Sequence, residues 1–225
     1  SVFFISITLI GCAQTQVRHK ADHYEPQRSV SVLLMPVDIE LSALTAGGVN
    51  EVRADWTAKA EKLVSKSLRS QLAQHDDKLL DYVEPTDSDT LQEHNQINKL
   101  HGVVGKTILI HSLLPATEPP TKKGSFEWSL GQEVSSLREA SGADYGLFVF
   151  VRDSYATAGR KSLIVASALF GLYVPGGSQV GFATLVDLRD GNVVWFNHIS
   201  KQTGDLRTES AAHSAVQELI EDIPL

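Results

Sequence analysis

The stretch Gly177 to Asn197, GSQVGFATLVDLRDGNVVWFN, constrains the fold more than any other. It is apolar on both sides of a single Asp190-Gly191 pair, the dipeptide favoured in two-residue type I′ turns. Folded there, it pairs Leu188 with Val193, Val186 with Trp195 and Phe182 with Ile199 on one face. On the other face Leu185 meets Phe196 and Ala183 meets His198. A hairpin apolar on both faces belongs inside a sheet covered on two sides. Ala143 to Arg152 (ADYGLFVFVR) has the same character and belongs to the same sheet.

The rest of the chain supplies the cover. Ser29 to Val37 (SVSVLLMPV) reads as a strand closed by Pro36. From Asn50 the spacing becomes helical, with Val52, Trp56, Ala60, Leu63, Val64, Leu68 and Leu72 on one stripe. Asn50 is placed to cap that helix and Glu51 suits its first turn. Leu79 to Val83 is a second strand. Residues 88–114 fit both a helical stripe (Leu91, Ile97, Leu100, Val104, Ile108, His111) and, over Val103 to Ile110, a buried strand. Helix is the preferred reading, although Gly102 and Gly105 would each cost it about 1 kcal/mol. Ser129 to Gln132 has capping-box spacing ahead of a short helix, with Gly142 just past its end. Thr208 to Ile223 closes the chain as a helix with Ala212, Ala215, Val216, Leu219 and Ile223 on one face. The fold expected is α/β: a mixed sheet with a β-hairpin in the C-terminal half and helices on both faces.

The first stretch addresses location. Residues 1–11 are uncharged and mostly apolar, too short for a membrane-spanning helix of about 20 residues and of the length of a signal-peptide apolar region. Leu9-Ile10-Gly11-Cys12 resembles a bacterial lipobox, which implies acylation of Cys12, the only cysteine. Ala13 after it implies sorting to the outer membrane, facing the periplasm. On this reading residues 1–11 are a signal remnant, 12–28 a polar tether and 29–225 one domain. With one cysteine, no internal disulfide exists.

The opening strand, the GADYGLFVFV strand, the VDLRDGNVVW hairpin and the closing AAHSAVQELIEDI helix together resemble the amino-terminal domain of TolB. That architecture recurs in the curli-secretion lipoprotein and in lipoprotein activators of penicillin-binding proteins. The resemblance implies a non-enzymatic envelope component that binds proteins or assembles. A curli-type pore would need alternating transmembrane strands, and the long run 162–174 does not alternate.

Chemistry is sparse. The net charge of −7 argues against nucleic acid or an anionic lipid surface as the main partner. Leu100 to Thr107 (LHGVVGKT) lacks the first glycine of a phosphate-binding loop. His19 and His23, four apart with no other ligand nearby, read as solvated; His94 and His101, seven apart, could share a helix face and read as surface or satisfied histidines; no metal or cofactor is expected. His198 is expected to be partnered in the core.

Two candidate sites remain. Arg152, Asp153, Ser154 and Tyr155 follow a strand end, where α/β sheets often bind ligands; a periplasmic hydrolase or small-ligand-binding protein using that loop is the alternative function. Residues 162–174 (SLIVASALFGLYV) pass thirteen positions without a charge. Leu163, Ile164, Leu169, Phe170, Leu172 and Tyr173 are expected to contribute a self-association or envelope-partner surface. The lipid bilayer, reached through acylated Cys12, is the other expected partner.

Overall fold

A proline explains the opening of the sheet. In the computed structural model, which describes residues 18–21, 30–75, 77–117, 119–122, 125–202 and 205–225, the strand expected over Ser29 to Val37 is β2 (Ser31–Leu34), preceded by a short β1 (Arg18–Lys20). The chain leaves β2 at Met35-Pro36 and resumes as β3 (Asp38–Leu44). Proline lacks the N–H that a continuous ladder needs. A tight Gly47-Gly48 turn returns β4 (Asn50–Val52) against β3. The helix α1 (Ala54–Leu72) therefore starts later than expected. Asn50 and Glu51 lie in β4, and Arg53 stands at the N-cap without a side-chain cap bond.

The remaining elements follow the expected order. They are β5 (Lys78–Asp81), α2 (Ser88–Leu113), α3 (Ser135–Ser141), β6 (Tyr145–Ala156), α4 (Ala158–Ala168), β7 (Gln179–Asp187), β8 (Val193–Lys201) and α5 (Glu209–Leu219). The sheet runs β1-β8-β7-β6-β2-β5, with β3 also pairing with β6 and β4 with β3. Strand β6 is parallel to β2 and β3 and antiparallel to β7, so the sheet is mixed. Within the expected tether, β1 pairs antiparallel with β8, Arg18 opposite Asn197 and Lys20 opposite Trp195.

Helices cover both faces. On one, α1 (Ala60, Val64, Leu68, Leu72) and α5 (Ala212, Ala215, Val216, Leu219) pack on Leu147, Val149, Leu185 and Trp195. The buried Asn197 amide donates to the Glu218 and Leu219 carbonyls at 2.7 and 3.1 Å, tying the end of α5 to the sheet. On the other face, α2 and α3 pack on Phe148, Phe150, Phe182 and Phe196. The helix reading of 88–114 holds because Gly102 and Gly105 are the seat: a Cβ at Gly105 would stand 2.0 Å from the Phe182 ring. The expected stripe is rotated, burying His94, His101 and Ile108 and leaving Leu100 41% exposed.

The hairpin forms with a different register. Leu185 faces Trp195, Ala183 faces Asn197 and Phe182 faces His198, with an irregularity between Leu185 and Val186. The type I′ expectation fails at Asp190, because Gly191 alone of the central pair has positive φ, at 77°. Asp187 and Asp190 side chains accept from the Arg189 and Asn192 backbone N–H, which stabilises a longer loop. Leu188 leaves the ladder and donates to the Asp144 carbonyl. The capping box is likewise replaced: Ser129 Oγ accepts from Gly131 N–H, and a 3₁₀ turn (Gln132–Val134) precedes α3. Gly142 ends α3 in the left-handed conformation as expected.

Candidate functional site

Strand β6 runs on past Arg152 to Ala156, so the expected ligand loop is strand, and strand geometry divides it. Arg152 shares the side of Phe150, its guanidinium 3.9 Å from that ring centroid and 2.7 Å from the Asp38 carboxylate. Ser154, on the same side, exchanges hydrogen bonds with Ser178. Asp153 and Tyr155 alternate to the α1–α5 side. The four residues do not converge on one point.

Asp153 and Tyr155 belong to an enclosed network. The Tyr155 hydroxyl and Gln179 Nε2 both donate to Asp153 Oδ2, and Leu206 N–H donates to the Tyr155 oxygen at 2.7 Å. Burial pushes the Asp153 carboxyl above the usual carboxylate range, against the lowering effect of those bonds; Asp153 Oδ1 is buried without a hydrogen-bond partner. The Arg207 guanidinium lies 4.1 Å from the Tyr155 ring and 4.4 Å from Trp56, and its bond to Asp205 holds that carboxyl low. This network ties the end of β6 to the segment entering α5. Sequence reasoning misses it, since its members are scattered from Trp56 to Arg207. Two cavities, of about 170 and 210 Å³, lie at the β5 side of the sheet, one on each side of Tyr82.

Residues 158–177 form the other site. Thr157 caps α4 by accepting from Arg160 N–H. Arg160 is buried; it donates to the Pro175 carbonyl at 3.0 Å and the Ala46 carbonyl at 3.3 Å, pinning the returning chain to the base of the helix. The helix ends in a Schellman arrangement: Leu172 N–H donates to Ser167, Gly171 N–H to Ala168, and Gly171 has φ 70°. The chain then runs back to Gly177, where a Cβ would stand 1.8 Å from the Ser154 carbonyl oxygen, so only glycine permits that approach.

Both ends are thus fixed and the middle projects. Leu169 and Phe170 are each 81% exposed, Tyr173 76% and Leu172 64%. Leu163 is exposed on the helix, joined by Val165, which the sequence pattern does not single out, while Ile164 turns inward toward Gly176. No Asp or Glu occurs from Ser154 to Val186, whereas Arg160 and Lys161 do, so this part of an acidic chain is locally basic. Strand β1 is antiparallel to β8, so its first residue, Arg18, opposite Asn197, lies nearer the Lys201 end of β8 than Lys20 does, and at that end Tyr173 donates to the Gln202 side chain. Cys12 itself lies outside the described residues.

Among the described residues, no group of three or more His, Cys, Asp or Glu is placed to hold a metal ion, and no helix is long and apolar enough to cross a membrane. No protein-family model matches the sequence, and neither does any curated protein. Solved structures give weak matches. The PelC dodecamer of Paraburkholderia phytofirmans, in a singly substituted form, is 15% identical over 92% of this chain and 96% of that one, with a TM-score of 0.43. The LpoB C-terminal domain of Salmonella enterica is 10% identical over 81% and 88%, with a TM-score of 0.30. A DUF4136 family protein of Bacteroides thetaiotaomicron is 10% identical over 94% and 96%, with a TM-score of 0.33. Values this low carry no argument about function.

Proposed function

We propose that this chain is an outer-membrane lipoprotein, acylated at Cys12, that works in the cell envelope by contact rather than by chemistry. The observation that carries the reading is the apolar apex Leu169–Tyr173, near the end of β8 that the first residue of β1 faces. The six steps of chain from Cys12 to Arg18 span at most about 20 Å. An acyl anchor at Cys12 would therefore hold the domain close to the bilayer with its apex toward the anchored side. Exposed apolar patches of this kind mark protein or membrane contacts. The apex and the outer side of α4 are the surface through which the domain would meet a second copy or an envelope partner beside the membrane. The divergence of Arg152 and Ser154 from Asp153 and Tyr155 weighs against the hydrolase alternative.

Expression of Cys12→Ala in a Gram-negative host with labelled fatty acid tests the anchor. Loss of acyl label, with an unprocessed or soluble product, is expected. Unchanged mass and membrane association would refute the anchor. Cross-linking of Leu169→Glu/Phe170→Glu in the envelope tests the contact surface, and undiminished cross-linked species would refute it.

A further inference from the structure

The two helical layers are fastened to the sheet by different means. Polar bonds tie α1, α5 and β8 together: Asn197 to the end of α5, Lys201 to Glu218 at 2.6 Å, and Gln71 to the His213 carbonyl at 3.1 Å. Helix α2 has such a bond, from Asn98 Nδ2 to the Pro36 carbonyl at 3.1 Å, and its inner side presents two histidines, His94 and His101, seven residues apart and therefore on one face. Both are essentially buried, at 2% and 1% exposure. The His101 ring sits 5.0 Å from the Phe148 centroid and 5.3 Å from Phe182, and neither ring nitrogen has a hydrogen-bond partner. His94 Nδ1 lies 3.1 Å from the Tyr82 hydroxyl, and its Nε2 is buried without a partner.

We propose that acid loosens α2 from the sheet ahead of the rest of the domain, uncovering the phenylalanine face beneath it. A proton is disfavoured on both histidines where they sit, most strongly on His101. A charged imidazole needs hydrogen-bond acceptors or water, and the walls around His101 are aromatic. Leaving the sheet supplies water to both rings at once.

The charged and titratable groups near this face do not offset that cost. Asp38, beside Gly102, is paired with Arg152 at 2.7 Å. Lys106 of α2 lies over the Phe150 ring at 4.6 Å and adds positive charge. His198 of β8, stacked on Phe196, can only add more. Glu93 favours the charged form of His94, but burial outweighs it and keeps that histidine below its ordinary range. Tyr82 is held above its ordinary range by burial. The turn packed on α2 brings Glu133, and the cavity beside His94 brings Asp81.

The size of the effect follows from linkage. Burial depresses His101 from 6.5 to about 3. A folded-state value below the released value means that the stabilisation is present above 6.5 and is lost as pH falls from there toward 3. Between pH 7 and pH 5, His101 alone shifts the equilibrium toward the released helix about 25-fold. The inference does not depend on the lipid anchor.

Hydrogen–deuterium exchange of the full chain at pH 7 and pH 5, corrected for intrinsic rates, provides the test. The protection of α2 amides is expected to fall about 25-fold or more, while β7 and α1 amides change several-fold less. His101→Leu should remove most of that difference. An equal loss across β7 and α1 would overturn the proposal, as would an unchanged α2 or an undiminished pH response in His101→Leu. Should that variant fold poorly, the His101 ring resonance of the wild-type chain decides. It should keep its neutral shift in the folded state down to pH 5, and a midpoint near 6.5 would overturn the proposal.

Discussion

Two apolar stretches meet opposite fates in this molecule. The hairpin Gln179–Lys201 and the run Ser162–Val174 are both strongly apolar and close in sequence. In the hairpin nearly every side chain is buried, with Phe182, Leu185 and Phe196 at 0% exposure, whereas Leu169 and Phe170 are 81% exposed. The charge-free stretch is the exposed one, so apolar content does not decide burial; the means of attachment does. The hairpin has backbone neighbours on both sides, β6 and β1, and helices on both faces. The run is fastened at its base, by Arg160 and by the glycine contact at Gly177, with a further bond from Tyr173 to Gln202, and the Schellman turn at Gly171 directs its middle away from the sheet.

The largest effect that would sharpen this contrast is at Trp195. It packs opposite Leu185 between the sheet and the α1–α5 layer at 2% exposure. Trp195→Ala is expected to cost about 3–5 kcal/mol, read from the urea midpoint. A near-wild-type midpoint would show that the hairpin is not the core it is described to be.

The hairpin turn comes next. Gly191 has φ 77°, and a Cβ there would stand 2.0 Å from the Gly131 carbonyl oxygen, so the turn lies directly on the segment that donates Leu130 N–H to the Gly191 carbonyl. Gly191→Ala should cost about 1–3 kcal/mol, again by urea unfolding. An unchanged midpoint would mean that turn and loop do not dock.

The smallest stability effect belongs to the exposed run. Leu169→Glu/Phe170→Glu should leave the midpoint within about 0.5 kcal/mol of the wild type while weakening assembly. A loss comparable to that of Trp195→Ala would show that the apex is core in the assembled protein and that the contrast does not hold.

Much of the fold was legible because apolar periodicity reports burial. Strand β6, the hairpin and the α1 and α5 stripes follow from it, and the left-handed glycine at 142 follows from helix-end chemistry. Register was less legible. The ladder is set by the irregularity at Leu185/Val186 and by the side-chain bonds of Asp187 and Asp190, neither of which leaves a periodic trace. Strand β3 did leave one, Ile39, Leu41 and Ala43 at alternate positions, but Pro36 read as an end rather than a bend. For the candidate sites, the apolar apex was visible as a charge-free run closed by glycine. The Asp153 network was not, because Trp56, Tyr155, Gln179 and Arg207 meet only through the fold. The supposed loop at 152–155 misled because a polar sequence following a buried strand does not reveal that the strand continues.

The central claim is that the 162–174 apex is a contact surface on the anchored side of the domain. It is tested most directly by Phe170→Cys carrying an environment-sensitive dye. Acylation of Cys12 would leave this as the only free thiol. The lipoprotein is reconstituted into phosphatidylethanolamine/phosphatidylglycerol vesicles and compared with the same labelled chain carrying Cys12→Ser at low concentration without lipid. The account predicts a blue-shifted, quencher-protected dye in the reconstituted protein and a water-exposed dye in the dilute soluble chain. A dye equally exposed to water in both would contradict it.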